Sequence, residues 1–131
     1  LISQYFTSHP GSSKVFLGGF VTYSNSSKIK LLNVKEETLK NYGAVSENTV
    51  IEMSEAAKII LNTDISLAVS GIAGPDGGSK DKPVGLVHHC VSNLENKNIH
   101  RKIIHVGNRE DIRNKTAETI FDMILEQILQ I

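Results

Sequence analysis

The stretch DISLAVSGIAGPDGGSKDKPVGLVHHCVS, Asp64 to Ser92, holds two apolar runs separated by a loop with five glycines and two prolines among the fifteen residues Gly71 to Gly85. Asp64 to Ser70 is short, apolar and bounded by turn signals, which predicts a buried strand. Gly85 to Ser92, GLVHHCVS, predicts a second strand, and Asn98 to Val106, NIHRKIIHV, a third that alternates more clearly; NLENK joins them as a hairpin in the same sheet. The glycine-rich loop therefore leaves the carboxyl end of a strand. In open α/β sheets that is where ligands bind.

Outward from this stretch, helical periodicity takes over. Ser46 is placed to cap a helix running to about Asn62, with Glu47 in its first turn and Val50, Met53, Ala57, Ile60 and Leu61 on one face. Asn108 caps a last helix with the apolar stripe Ala117, Ile120, Phe121, Ile124, Ile128 and Ile131. Upstream, Val15 to Tyr23, VFLGGFVTY, is apolar, β-branched and aromatic, and is expected to form a buried central strand. Ser24 or Asn25 then caps a short helix, a second short helix spans Lys35 to Asn41, and Tyr42-Gly43 stops it. LISQYF reads as the last turns of a helix whose start lies upstream of Leu1, and Thr7 to Lys14 is loop around Pro10-Gly11. Helix and strand alternate, so the fold class is α/β with a mixed sheet.

At 131 residues the chain is one domain, long enough to bury a core without metal or disulfide. Fourteen Lys plus Arg balance fourteen Asp plus Glu, and no basic cluster stands out, so nucleic acid is not an expected partner. The single cysteine, Cys90, cannot build a disulfide framework and fits a reducing, cytoplasmic setting. No apolar run approaches the roughly 20 residues of a membrane span, and the amino terminus lacks the features of a secretory signal; a soluble protein without membrane partners is expected.

Two candidate constellations emerge from residue chemistry. TYSNSSK and SGIAGPDGG both follow predicted strands, and if those strands are neighbours the two loops face each other. Glycines at Gly71, Gly74, Gly77 and Gly78 would let backbone N–H groups approach an anion, with the Ser70 hydroxyl as a further donor. A surface Ω-loop with no ligand fits the same composition, and the spacing matches neither GxGxxG nor GxxxxGK[ST]. Lys28 at the mouth of a cleft could lose its proton through desolvation and serve as a base toward a hydroxyl, with Tyr23 to orient it. A solvated helix charge and a strand-end aromatic are the plainer alternatives. His88 and His89 are adjacent in a strand and point to opposite faces, and His105 stands alone, so no metal site is expected. Cys90 reads as a small buried residue.

The runs FLGGFVTYSNSSKIKLLNV, YGAVSENTVIEMSEAA, LAVSGIAGPDGGSKDKPVGLV and GNREDIR resemble, in order and spacing, the carboxy-terminal domain of the CinA family, the nicotinamide-nucleotide amidases. The resemblance implies a three-layer α/β domain that hydrolyses the carboxamide of nicotinamide mononucleotide to nicotinate mononucleotide and ammonia. It implies a serine nucleophile activated by a lysine, with no metal or other cofactor. Lys28 and Tyr23 match the lysine and tyrosine of the family's YSNxxK motif, within which Asn25 also falls. Ser70 stands where threonine is usual, and Arg109 matches the arginine of a G-x-R element suited to phosphate or carboxylate. Together with Gly71, Gly74, Gly77 and Gly78 these are the expected catalytic and substrate-binding residues.

The family's nucleophilic serine lies in an ESCTGG element, and here the resemblance begins just after it. The first strand and the start of the first helix are therefore expected to be missing, and Ser12 and Ser13 belong to a turn the family shares. Three readings stay open: part of an active amidase, a degenerate relative that still binds a nucleotide, or a remnant serving subunit contact. The family usually associates, so a homo-oligomer is expected.

Overall fold

The computed structural model describes residues 1–129. Helix α1 (Ile2–Thr7) and a 3₁₀ turn (Ser12–Lys14) precede α2 (Asn25–Leu32), α3 (Glu36–Tyr42) and α4 (Glu47–Leu61); strands β1 (Ser66–Gly71), β2 (Leu86–Ser92) and β3 (Asn98–Ile104) follow, then α5 (Arg109–Leu129). The strands form one sheet in the order β1-β2-β3, antiparallel throughout, with Ser70 opposite His88 and Cys90 opposite His100. The α/β class holds, with antiparallel ladders where a mixed sheet was expected.

Helix ends follow their capping chemistry. The Ser24 hydroxyl accepts from the Ser27 amide at 3.0 Å and the Ser27 hydroxyl accepts in return from the Ser24 amide at 3.2 Å, a reciprocal box that starts α2 directly off the preceding extended run. Ser46 caps α4 through the Thr49 amide at 3.2 Å. Asn108 and Asp111 exchange backbone-to-side-chain bonds at 2.9 Å and begin α5. The β2–β3 turn closes on Asn93, whose Oδ1 accepts from the amides of Glu95 and Lys97, with Asn96 left-handed at φ 61°.

Two helical layers cover the sheet. On one face Ala68 and Cys90 pack with Leu32, Leu39, Val50 and Met53 of α2, α3 and α4; on the other, Leu67, Val69, Val91 and Ile99 pack with Ile120 and Met123 of α5. Each large apolar side chain so buried is worth roughly 1.5–3 kcal/mol. A polar seam crosses the first interface: the buried Ser54 hydroxyl lies 3.0 Å from that of Ser66 and 2.8 Å from that of Ser92, and Ser92 donates to Asn98 Oδ1 at 2.6 Å. Apolar periodicity does not reveal this seam. It sets the register of α4 on the sheet, and it turns the helix so that Thr49 and Ser54 are buried while Ile60 is exposed. On α5 the buried stripe runs through Ile112, Thr116, Ala117, Ile120 and Met123; Ile128 is partly exposed, and Ile131 lies outside the described residues.

The expected central strand at Val15 to Tyr23 is corrected. The run forms no ladder and, among the described residues, no backbone N–H from Leu17 to Tyr23 finds a partner. Its odd positions Val15, Leu17, Val21 and Tyr23 face out while Phe16, Phe20 and Thr22 face in, so the period-two pattern of a strand persists without hydrogen bonds. Strand pairing needs a partner edge, and composition cannot supply one.

Candidate functional site

Between this unpaired run and the outer edge of β1 lies a groove of about 820 Å³. Thr22, Tyr23 and Lys28 line one wall, and Ser70, Gly71 and Ala73 line the other. The two loops thus meet across the groove rather than across a shared ladder.

Lys28 sits one turn inside α2 and is 5% exposed, not a solvated helix charge. Its Nζ donates to the Thr22 carbonyl oxygen at 2.7 Å. Among the described residues no carboxylate pairs with it, and burial lowers the ammonium pKa below the ordinary lysine value. A desolvated amine beside a groove is a base in waiting. Tyr23 does not orient it: the phenol lies at the groove rim, 87% exposed, and the group that holds Lys28 is the backbone carbonyl one residue earlier. A main-chain acceptor carries no residue-type signature.

The glycine-rich loop is shaped, not slack. Ile72 and Gly85 bracket it, the Gly85 amide donating to the Ile72 carbonyl at 2.7 Å and the Ile72 amide to the Leu86 carbonyl at 2.9 Å. The Ser79 amide donates to the Lys82 carbonyl at 2.8 Å, and the Lys82 ammonium caps the Tyr42 carbonyl at the end of α3. A Cβ on Gly78 would stand 2.8 Å from the Val84 amide nitrogen, so the chain doubles back tightly here. Arg109, in the first turn of α5, donates Nη1–H to the Gly74 carbonyl at 2.8 Å.

The expected residues thus divide. Lys28, Tyr23, Ser70 and Gly71 share the groove, whereas Asn25, Gly74, Gly77, Gly78 and Arg109 stand outside its lining. Asn25 is the exposed first residue of α2, and Gly77 and Gly78 are exposed on the outer loop. Arg109 holds the loop with one of its five N–H groups, and among the described residues the guanidinium makes no other hydrogen bond.

The histidines behave differently from expectation. His105 is not alone: its Nε2 lies 3.3 Å from Nε2 of the fully buried His89, whose Nδ1 meets the Arg101 carbonyl at 3.1 Å. On the opposite sheet face His88 Nδ1 contacts His100 Nε2 at 2.8 Å, and His100 Nδ1 lies 3.7 Å from Glu47. Burial is the main reason that His88 and His89 are each pushed down to about 4, so both are neutral at pH 7. Only the strand register reveals these pairs. Among the described residues no group of three or more His, Cys, Asp or Glu side chains could hold a metal ion. Likewise no helix among them is long and apolar enough to cross a membrane.

Comparison with known proteins places this geometry. The CinA C-terminal domain model matches residues 1–128. A CinA-like protein of Thermosipho melanesiensis is 50% identical over 125 residues, covering 95% of this chain and 31% of its own length; another from Fervidobacterium nodosum is 46% identical over 131 residues, covering 99% and 32%. The chain spans about a third of the length of these curated relatives. Among solved structures, the competence/damage inducible protein CihA from Agrobacterium tumefaciens superposes with a TM-score of 0.94 at 38% identity, over 96% of this chain and 77% of that one. A CinA superfamily protein of Klebsiella pneumoniae 700603 gives a TM-score of 0.94 at 26% identity, over 99% and 81%. With a family match along nearly its whole length and the same fold in solved members, the chain belongs to the CinA family through that family's C-terminal domain.

Proposed function

We propose that the intact protein hydrolyses the carboxamide of nicotinamide mononucleotide, and that these residues supply the base and the nucleotide-binding walls of that site. The observation that carries the reading is the Lys28 amine: desolvated, without a carboxylate partner among the described residues, and held by the Thr22 carbonyl in the wall facing Ser70.

In its neutral form Lys28 Nζ takes the proton from a serine hydroxyl supplied from outside these 131 residues. The alkoxide attacks the carboxamide carbon, and the resulting oxyanion needs N–H donors nearby. The lysine returns the proton to the leaving nitrogen, which departs as ammonia. Water then cleaves the ester to give the carboxylate and free serine, so that amide plus water becomes acid plus ammonia. Ser70 and the Gly71 backbone, at the end of β1, line the opposite wall, and Arg109 steadies the loop that leaves the strand just after them.

A binding-only role is the second reading, favoured by the separation of the Arg109–Gly74 clamp from Lys28. Ammonia release from nicotinamide mononucleotide by the intact protein, with nucleotide affinity measured in parallel, tests both. Turnover abolished by Lys28→Ala with binding retained supports the amidase. Binding without turnover in the parent protein supports the second reading. The 131 residues alone are expected to release no ammonia.

A further inference from the structure

We propose that Glu47, His100 and His88 form a relay behind the groove wall that draws the Ser70 hydroxyl proton into a hydrogen bond, leaving Ser70 as an acceptor that selects a carboxamide over a carboxylate. The identity of that ligand rests on the amidase reading; the relay rests on strand register and ring contacts alone.

Register brings the four groups together. Ser70 and His88 are direct partners in the β1–β2 ladder, so their side chains leave the same face with Cβ atoms about 5 Å apart. That face is the one covered by α2 to α4, since the pair two residues along, Ala68 and Cys90, packs there. His100, opposite Cys90 on β3, reaches diagonally to His88, its Nε2 lying 2.8 Å from His88 Nδ1. Glu47, the first residue of α4, stands 3.7 Å from His100 Nδ1. Glu47 is exposed, His100 half-buried and His88 buried, so the series runs inward from solvent to Ser70 in the groove lining.

The tautomers follow from the acid end. A carboxylate beside His100 Nδ1 favours the proton on that nitrogen, which makes Nε2 an acceptor. The contact between the rings then needs a donor from His88, so a proton sits on His88 Nδ1 and its Nε2 carries a lone pair. Burial, then His100, Lys102 and Lys82, keep the His88 ring uncharged against the pull of Glu47.

Across the ladder, the Ser70 hydroxyl reaches that lone pair by rotation about χ1. Serine has one proton and two lone pairs, so with the proton committed to His88 it faces the groove as an acceptor. An amide N–H satisfies it. A carboxylate oxygen meets lone pair against lone pair unless the bond to His88 is given up, so the acid product is held less firmly than the amide.

Two measurements on the intact protein test the relay and the selection. Nitrogen chemical shifts of the imidazole rings read the tautomers: the proton on Nδ1 of both His88 and His100 is the expected result, and a proton on Nε2 of either ring overturns the relay. In a Lys28→Ala background, which stops turnover under the amidase reading, the affinities for nicotinamide mononucleotide and nicotinate mononucleotide read the selection. A preference for the amide of about tenfold is expected, the worth of one hydrogen bond. It should vanish in Ser70→Ala and in His88→Phe and return in His88→Gln, whose Oε1 accepts near the place of Nε2. A preference unchanged in Ser70→Ala or His88→Phe, or lost equally in His88→Gln, overturns the selection. If neither nucleotide binds, the amidase reading and the stated ligand fall together, and the tautomers still decide the relay.

Discussion

The Arg109 guanidinium donates to the Gly74 carbonyl oxygen at 2.8 Å, tying the start of α5 to the loop that leaves β1 across 35 positions of sequence. The bond is part-exposed, so its contribution is about 1 kcal/mol, below that of a fully buried charged hydrogen bond. Its larger effect is on order: it fixes one end of a loop whose other end is held by Gly85 and whose middle is pinned by Lys82.

Replacing Arg109 by Ala should lower Tm by a few degrees. It should also speed amide exchange in Gly74–Val84 about tenfold while leaving α4 and β2 unchanged. Arg109→Lys should recover only part of the protection, because an ammonium lacks the planar fork. Uniform loosening of the whole domain would show that the bond serves the fold and not the loop.

Lys28 is costly where it stands. Its Nζ is buried with one carbonyl partner among the described residues, and its pKa is lowered by that burial. Because the folded pKa lies below the unfolded one, the unfolded chain binds the proton more readily, and stability rises as pH climbs from the folded value toward about 10.5. Lys28→Met should therefore stay within about 1 kcal/mol of the parent at neutral pH, losing one hydrogen bond but removing the desolvation cost. The alkaline rise in stability should vanish from the variant, a difference that denaturant titrations at pH 7 and pH 10 can read.

The sequence showed the local features of this fold better than its partnerships. Caps at Ser24, Ser46 and Asn108, the glycine stop after Tyr42 and the β2–β3 hairpin are each written within a few residues, and each forms as expected. Val15 to Tyr23 has the composition of a central strand, but a ladder is a property of two segments, and among the described residues none forms a ladder with it. The site divides in the same way. Lys28 and Ser70 could be picked out by residue type, yet the Thr22 carbonyl that holds the lysine, the use of Arg109 on Gly74 and the His89–His105 contact depend on register and loop geometry.

Cys90 lies fully buried in β2, and burial pushes its thiol up to about 11, outweighing hydrogen bonds from Ser54 and Ser92. The thiolate is the reactive form, so alkylation at pH 8 should be no faster than opening of the sheet. Iodoacetamide labelling should accelerate steeply only across the denaturant transition. Rapid labelling under native conditions would mean that the α4–sheet interface opens locally.

The histidine pairs make acid the weak flank of the fold. His88 is pushed down to about 4 by burial, reinforced by His100, Lys102 and Lys82 and opposed by Glu47; His89 is pushed equally low by burial and by His105, against the Arg101 carbonyl. His105 is lowered too, by burial and then Lys115. In the unfolded chain His88 and His89 titrate near 6.5, so between about 4 and 6.5 the unfolded state holds more protons at these two sites, and His105 adds in the same direction. Their contribution to stability is complete above about 6.5 and drains away as pH falls toward 4. The loss should reach several kcal/mol, since each pKa unit is worth about 1.4 kcal/mol per site. A urea midpoint measured at pH 7 and at pH 4.5 should fall sharply. Asn can preserve the bond to the Arg101 carbonyl while removing the titrating ring, so His89→Asn should make the acid limb shallower by roughly half, even though the lost packing lowers stability at pH 7. An unchanged acid slope in that variant would move the cause to other groups, with His88 and its contact to His100 the next to test.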